Sequence, residues 1–335
     1  MIVDHRVLHE DFVPSEIEHR NDELNHLSAT LEPVLDDDRP ETAFLLGPTG
    51  AGKTCTAKYV LDELTNQRPD VQTAYINCWQ EFTRFRVHYR LLEEIDQAID
   101  VHRSTPKDQL FKLLREADDE PIVAVLDEID QHEESETLYD LHRLPHVHLV
   151  LIANREEEMF AGFDDRVRSR LRAGTRVYFD RYGTDELVEI LSERARQGLE
   201  PQVIDDDQIQ SIAHTASGDA RVGIGILHTA ARIAAREGEE QITDEIVETA
   251  EPETRNKLRQ QIIDDLTEHQ RILYDVIEER GEVEPGELYD AYEEIVDDPN
   301  TRRTLRNYLS KMTHYDLIES NGDRGGRTYS LVGED

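Results

Sequence analysis

Residues 47–54 read Gly-Pro-Thr-Gly-Ala-Gly-Lys-Thr, and no other stretch of this chain restricts its fold so tightly. The pattern G-x-x-x-x-G-K-[ST] works only where a buried strand enters a tight loop that opens a helix, because the loop amides must converge on an anion at the helix N-terminus. That context is present: Ala-Phe-Leu-Leu (43–46) precedes it and a helix-compatible run follows. Gly47, Gly50 and Gly52, with Pro48, Thr49 and Ala51 between them, let backbone N–H groups close around phosphates. Lys53 is expected to reach the β- and γ-phosphates of ATP or ADP, and the Thr54 hydroxyl to ligate Mg2+.

The remaining apolar runs agree with such a loop. They fall at 74–77, 122–126, 148–153 and 176–179. Helical stretches separate them, such as 85–99 with Leu91, Leu92, Ile95, Ala98 and Ile99 on one face. Strands alternating with helices predict a parallel sheet with helices on both sides. The run 122–126 ends in Asp127-Glu128, where one carboxylate is expected to help hold Mg2+ and the other to orient an attacking water. The run 148–153 ends at Asn154, whose amide is placed to fix that water or the terminal phosphate, although an Asn at a strand end is also an ordinary turn residue. Asp-Arg-Val-Arg-Ser-Arg-Leu (165–171) puts arginines at a helix end; Arg170 is placed to meet a neighbouring subunit's phosphate, with a salt-bridged helix as the competing reading.

From about 181 to 250 the strand signal stops. Thr184, Asp205 and Thr243 precede acids and read as helix N-caps. A third section opens near 254, and Thr267-Glu-His-Gln270 is a capping-box pattern. The expected division is a nucleotide-binding base at 1–180, a helical lid at 181–253 and a further domain at 254–335.

The chain has 335 residues and a net charge of −37, and only six of its 37 basic residues are Lys. At first sight this acidity argues against a nucleic-acid partner. A Lys-poor acidic surface is also what multimolar salt permits, because the Debye length there falls to about 3 Å or less. We read the charge as solvent adaptation; a generally acidic cytosolic protein is the alternative. Two cysteines, Cys55 and Cys78, make no disulfide framework, and no Cys/His spacing suits zinc. With no signal pattern and no run near 18 apolar residues, a cytoplasmic protein without membrane association is expected.

Residues 266–335 read as three helices and a hairpin. The stretch 301–314 places Leu305, Leu309 and Met312 on one side and Arg303, Asn307 and Ser310 on another. The second stripe carries residue types that touch phosphates and base edges. Arg302, Arg303, Arg306, Lys311, Arg324 and Arg327 make 300–331 a basic island of net +3, whereas 275–298 holds eleven acids and one base. The Gly-rich turn 321–326, with Arg324 and Arg327, is suited to enter a minor groove. Such folds serve protein contacts as well.

Read in order, these motifs resemble those of the AAA+ ATPases. Arg-Val-Arg-Ser-Arg-Leu, Phe179-Asp-Arg-Tyr182, Glu189-Ile-Leu-Ser-Glu-Arg194 and Gly218-Asp-Ala-Arg221 narrow the likeness to the archaeal Orc1/Cdc6 replication initiators. Asp11-Phe-Val-Pro14 followed by His19-Arg20 is similar to that family's adenine-side segment. The likeness runs essentially end to end; the segment Val-His-Arg-Ser-Thr-Pro-Lys-Asp (101–108) is shorter than the family's loop. It implies an AAA+ base, a lid and a C-terminal winged helix. It makes Asp127 and Glu128 the Walker B pair, Asn154 sensor 1, Arg170 the arginine finger and Arg221 sensor 2. Val13, Pro14, Arg20, Tyr182 and Arg194 would lie against the nucleotide. The implied activity is slow, ATP-switched binding of double-stranded origin DNA, with the replicative helicase and other initiator subunits as partners. A nucleotide-responsive DNA-binding regulator is the alternative, and a general AAA+ motor a third reading.

Overall fold

The computed structural model of the chain describes all residues but 82, 99–100, 103–104, 118–119, 133, 135, 323–325 and 334–335. They form two compact units, Met1–Thr254 and Arg255–Asp335.

In the first unit five parallel strands, β1 (Ala43–Leu46), β2 (Gln72–Asn77), β3 (Ile122–Asp127), β4 (Val147–Ala153) and β5 (Thr175–Tyr178), lie in the order β2-β3-β4-β1-β5. Their residues alternate between two cores, as a pleated strand requires. Phe44, Leu46, Ala124, Leu126, Leu149 and Leu151 pack with α3 (Arg84–Glu94), α4 (Lys107–Glu116), α5 (Glu136–His142) and α7 (Asp165–Leu171). Ala43, Leu45, Val123, Val125, Val150 and Ile152 face α1 (Asn21–Leu31) and α2 (Lys53–Gln67). Burial on both faces is why these strands read as continuous apolar runs. The short α6 (Glu156–Gly162) links β4 to α7.

The helix expected over 85–99 ends five residues early, at Glu94. Asp96 turns left-handed at φ +55, and the N–H groups of Asp96 and Gln97 return to the carbonyls of Glu93 and Leu92. That pair of bonds is a Schellman closure, which satisfies the last carbonyls and stops the helix; Ile99 lies outside the described residues.

Helices α8 (Thr184–Gly198), α9 (Asp206–Ala216) and α10 (Ala220–Glu237) share a separate apolar core with Leu8. Thr184 is the first helical residue rather than the cap: Gly183 holds that position, and its N–H donates to the Glu186 carboxylate at 2.8 Å. The boundary between units falls within α11 (Asp244–Asp264).

The second unit holds α12 (Glu268–Arg280), α13 (Pro285–Ile295), α14 (Arg302–His314) and an antiparallel pair, β6 (Ile318–Asn321) and β7 (Thr328–Leu331). The expected capping box opens α12, with Gln270 N–H donating to Thr267 Oγ1 and Thr267 N–H to Gln270 Oε1. Val283, between α12 and α13, exchanges two 2.9 Å backbone bonds with Tyr329 of β7. Leu273, Ile277, Leu288, Tyr292, Leu305, Leu309 and Met312 fill the core beneath this hairpin.

Candidate functional site

Because β4 lies between β1 and β3, the loop after β1, Asp127 at the end of β3 and Asn154 beyond β4 share one edge of the sheet. This edge, outside the carboxyl ends of parallel strands, is where open α/β sheets bind ligands. Gly52 is left-handed at φ +92 and opens α2 at Lys53, which is buried. Its Nζ donates to the carbonyls of Gly47 (2.6 Å) and Pro48 (2.8 Å) and to Asn154 Oδ1 (3.1 Å). Burial pushes the ammonium down to about 8; Asp127, Glu128 and Asp130 oppose that, and Arg221 adds to it.

The buried Asp127 carboxylate accepts from Thr54 Oγ1 at 2.6 Å, from Tyr75 Oη at 2.8 Å and from the Glu128 N–H at 2.8 Å. Glu128 is left-handed at φ +54, a strained state for a residue with a Cβ that is typical of sites under functional constraint. Tyr75 was invisible in the sequence, where an aromatic in a strand is ordinary. Only the pairing of β2 with β3, Asn77 beside Asp127, brings its hydroxyl there. Burial beside that carboxylate pushes its phenol well above the ordinary value.

The lid reaches the same loop. Ala220 N–H donates to Gly50 O at 3.1 Å. A Cβ on Gly50 would fall 2.0 Å from Asp219 Oδ1, so only glycine fits that left-handed turn. Asp219 also caps α10 through Val222 N–H. Arg221, in the first turn of α10, lies 3.9 Å from Glu10, and its Nε is buried without a hydrogen-bonded partner. Sequence reasoning singled out neither Asp219 nor Glu10.

Arg20 is buried and donates to Ala51 O (2.9 Å) and Asp180 O (2.6 Å), with its guanidinium 3.9 Å from the Tyr182 ring centroid. Arg194 is buried and donates to Val7 O and Phe12 O. It thereby anchors the segment in which Val13 and Pro14 are half-buried. Both arginines therefore act on backbone: one ties the phosphate loop to the end of β5, the other the N-terminal segment to the lid.

This donor set fits a nucleotide phosphate with a divalent cation. Thr54 and Asp127 present a hydroxyl and a carboxylate oxygen side by side, the hard oxygen donors that Mg2+ takes. Lys53 and Arg221 supply cations beside the loop. Arg170 is not brought to this edge. It is exposed, its Nη1 donates to Arg166 O, and its guanidinium lies 4.8 Å from the Tyr139 ring centroid. With Arg39, His142 and His148 it lines a cavity by the opposite end of β4.

In the second unit Thr301 caps α14, accepting from Thr304 N–H. Leu305, Leu309 and Met312 are buried, while Arg302, Arg303, Arg306, Asn307 and Ser310 are exposed, as the two stripes required. The basic island is smaller than the count over 300–331 implied. Arg302 pairs with Asp290 (3.1 Å) and Glu293 (3.6 Å) of α13, and Lys311 is buried. Arg303, Arg306 and Arg327 are exposed and form no ion pair with another described residue. Arg324 lies outside the described residues.

A five-stranded parallel sheet, a phosphate loop and a helical lid carrying an arginine define a P-loop ATPase of the AAA+ class. Residues 37–158 match the AAA domain, and 188–252 match the Cdc6 AAA+ ATPase-type lid domain. The chain is 46% identical over 333 residues to ORC1-type DNA replication protein 9 of Halobacterium salinarum, covering 99% of this chain and 94% of the relative. It is equally 46% identical over 308 residues to ORC1-type DNA replication protein 1 of that organism, covering 92% and 100%. Among solved structures it is similar to Aeropyrum pernix ORC1 in complex with DNA, with a TM-score of 0.78 and 28% identity over 99% of this chain and 94% of that one. The chain belongs to the ORC1-type DNA replication protein family. Its two Halobacterium relatives come from a halophilic archaeon, in agreement with reading the acidity as adaptation to salt. No helix among the described residues is long and apolar enough to cross a membrane.

Proposed function

We propose that this chain is an ATP-switched replication initiator that binds double-stranded origin DNA and helps recruit the replicative helicase. The observation that carries the reading is the bond between lid and phosphate loop, Ala220 N–H to Gly50 O, which sets Arg221 beside Lys53. A phosphate bound at Lys53 would attract Arg221 away from Glu10, so lid position would follow the nucleotide held. In this reading 1–180 is the base, 181–253 the lid and 254–335 a winged-helix DNA-binding domain. Lys53 grips the phosphates, Thr54 and Asp127 hold Mg2+, and Glu128 with Asn154 positions water for slow hydrolysis. Arg170, remote from its own chain's loop, is available to a neighbouring subunit. Arg303, Arg306, Asn307 and Ser310 meet the duplex, with Arg302, Arg324 and Arg327 beside them. The A. pernix relative, solved with DNA, supports this assignment.

Labelled duplex carrying origin repeats, titrated at high salt with ATP or ADP, tests the proposal. At least about tenfold preference over scrambled duplex, shifted by exchanging ATP for ADP, is expected, as specific sites exceed non-specific ones by far more. Equal affinity for both duplexes, unchanged by nucleotide, would overturn it. Site-specific binding at promoters, with replication unaffected by deletion, would instead favour a regulator.

A further inference from the structure

Away from the phosphate loop, side chains from two distant parts of the chain bring three donor atoms together. Glu18 and His19 precede α1, and Glu189 projects from the first half of α8. One oxygen of each carboxylate and one ring nitrogen of His19 lie within 4.8 Å of one another. No other such group occurs among the described residues.

The contact between two of them is unlike an ordinary ion pair. His19 Nε2 lies 2.9 Å from Glu189 Oε2, yet that nitrogen is sealed from solvent and has no hydrogen-bonded partner. A ring N–H directed at the oxygen would be satisfied at this distance. Here the two atoms approach without that alignment, so the contact is one of charge and proximity and no hydrogen bond commits the nitrogen to Glu189. The chain beside His19 is anchored: Arg20, the next residue, donates to Ala51 O and Asp180 O.

One imidazole and two carboxylates form a mixed nitrogen and oxygen set. The imidazole favours zinc-like ions over Mg2+, which prefers oxygen alone. Ligand distances near 2.0–2.2 Å place the donors of a tetrahedral Zn2+ about 3.3 Å apart. The exposed Glu18 and Glu189 side chains can close that span by rotation. We propose that Glu18, His19 and Glu189 form a binding site for a divalent transition-metal ion of the Zn2+ class, which ties the N-terminal segment to lid helix α8. The same segment carries Val13, Pro14 and Arg20, so an ion there restrains the lid against the base.

The test uses the full-length, metal-stripped, nucleotide-free chain at high potassium, titrated with Zn2+ by calorimetry and with Co2+ by its visible absorption. One ion per chain is expected, not displaced by excess Mg2+. His19→Ala and Glu189→Gln should each weaken binding at least tenfold and remove the nitrogen-ligand signature of the Co2+ spectrum. His26→Ala, at an exposed position of α1, should leave both unchanged. Equal affinity in all variants would assign the ion to the general acidic surface and overturn the site, as would binding of many ions with no stoichiometric step. Should His19→Ala fail to fold, Glu189→Gln, at an exposed helix position, carries the same comparison. Fluorescent-nucleotide binding by Glu189→Gln, measured alongside, separates failure of the metal site from failure of the nucleotide reading.

Discussion

The phosphate-loop site and the exposed face of α14 both gather charge, but they hold it in opposite ways. Lys53 is buried with three acceptors, and Asp127 is buried with three donors. The side chains of Arg303 and Asn307 are exposed and hydrogen-bond to no other described residue. In the first case the fold has already desolvated and oriented the groups, so a ligand meets a fixed constellation. In the second the guanidinium stays hydrated until a partner displaces water and counterions. Changes at the first site should therefore alter stability together with binding. Changes at the second should alter binding alone.

The largest expected effect is on nucleotide affinity. Lys53→Ala should weaken ATP binding by at least about 100-fold, roughly 3 kcal/mol, in a fluorescent-nucleotide titration. Duplex binding without nucleotide should survive, and its loss would show that the two regions are not separable in this way.

Next comes acid sensitivity of the first unit. Burial pushes His88 down to about 3 and His148 down to about 4, from an ordinary value near 6.5. Unfolding exposes both rings, so between pH 6.5 and 4 the unfolded chain binds protons that the folded one does not. Stability is thus complete above pH 6.5 and falls as pH drops through that window, on the order of 2 kcal/mol per histidine by pH 5. Urea unfolding at pH 7.5 and pH 5 should show the midpoint falling, and the fall should shrink in His148→Gln.

How much of this was legible depended on whether partners are near in sequence. The strand, loop and helix around Lys53 could be read because one local pattern demands all three. Arg303, Asn307 and Ser310 could be read because helical periodicity alone separates them from Leu305 and Leu309. Arg20 and Arg194 were flagged, but their bonds to carbonyls of Asp180 and Val7 depend on chain crossings that no spacing encodes. The pairing of Arg302 with Asp290 was hidden for the same reason, so counting charge along 300–331 overstated the free positive surface. The helix expected to run to 99 stopped at Glu94 because Asp96 accepts a left-handed turn, which apolar periodicity cannot report.

Tyr75 sharpens the contrast on the stability side. Tyr75→Phe deletes one of three donors to a buried carboxylate, and bonds to charged groups are worth about 1.5–3 kcal/mol. A loss near the lower end is expected in urea unfolding, because Thr54 and the Glu128 amide still serve Asp127. Asn307→Ala on the exposed face should cost no measurable stability. Equal losses for the two would erase the distinction between a prebuilt and a solvated site.

The smallest effects separate two neighbouring arginines. Arg303→Ala should weaken duplex binding and lower the salt slope by about one, the signature of a lost phosphate contact. Arg302 is already engaged by Asp290 and Glu293, so a phosphate must compete with two carboxylates for its guanidinium. Its removal should cost less affinity than loss of Arg303, and less than about 1 kcal/mol of stability, since exposed ion pairs contribute little. Salt titrations of both variants decide the matter. A larger slope change for Arg302→Ala would mean that α13 surrenders the arginine on binding, and that the acids of this helix tune how much positive charge the duplex meets.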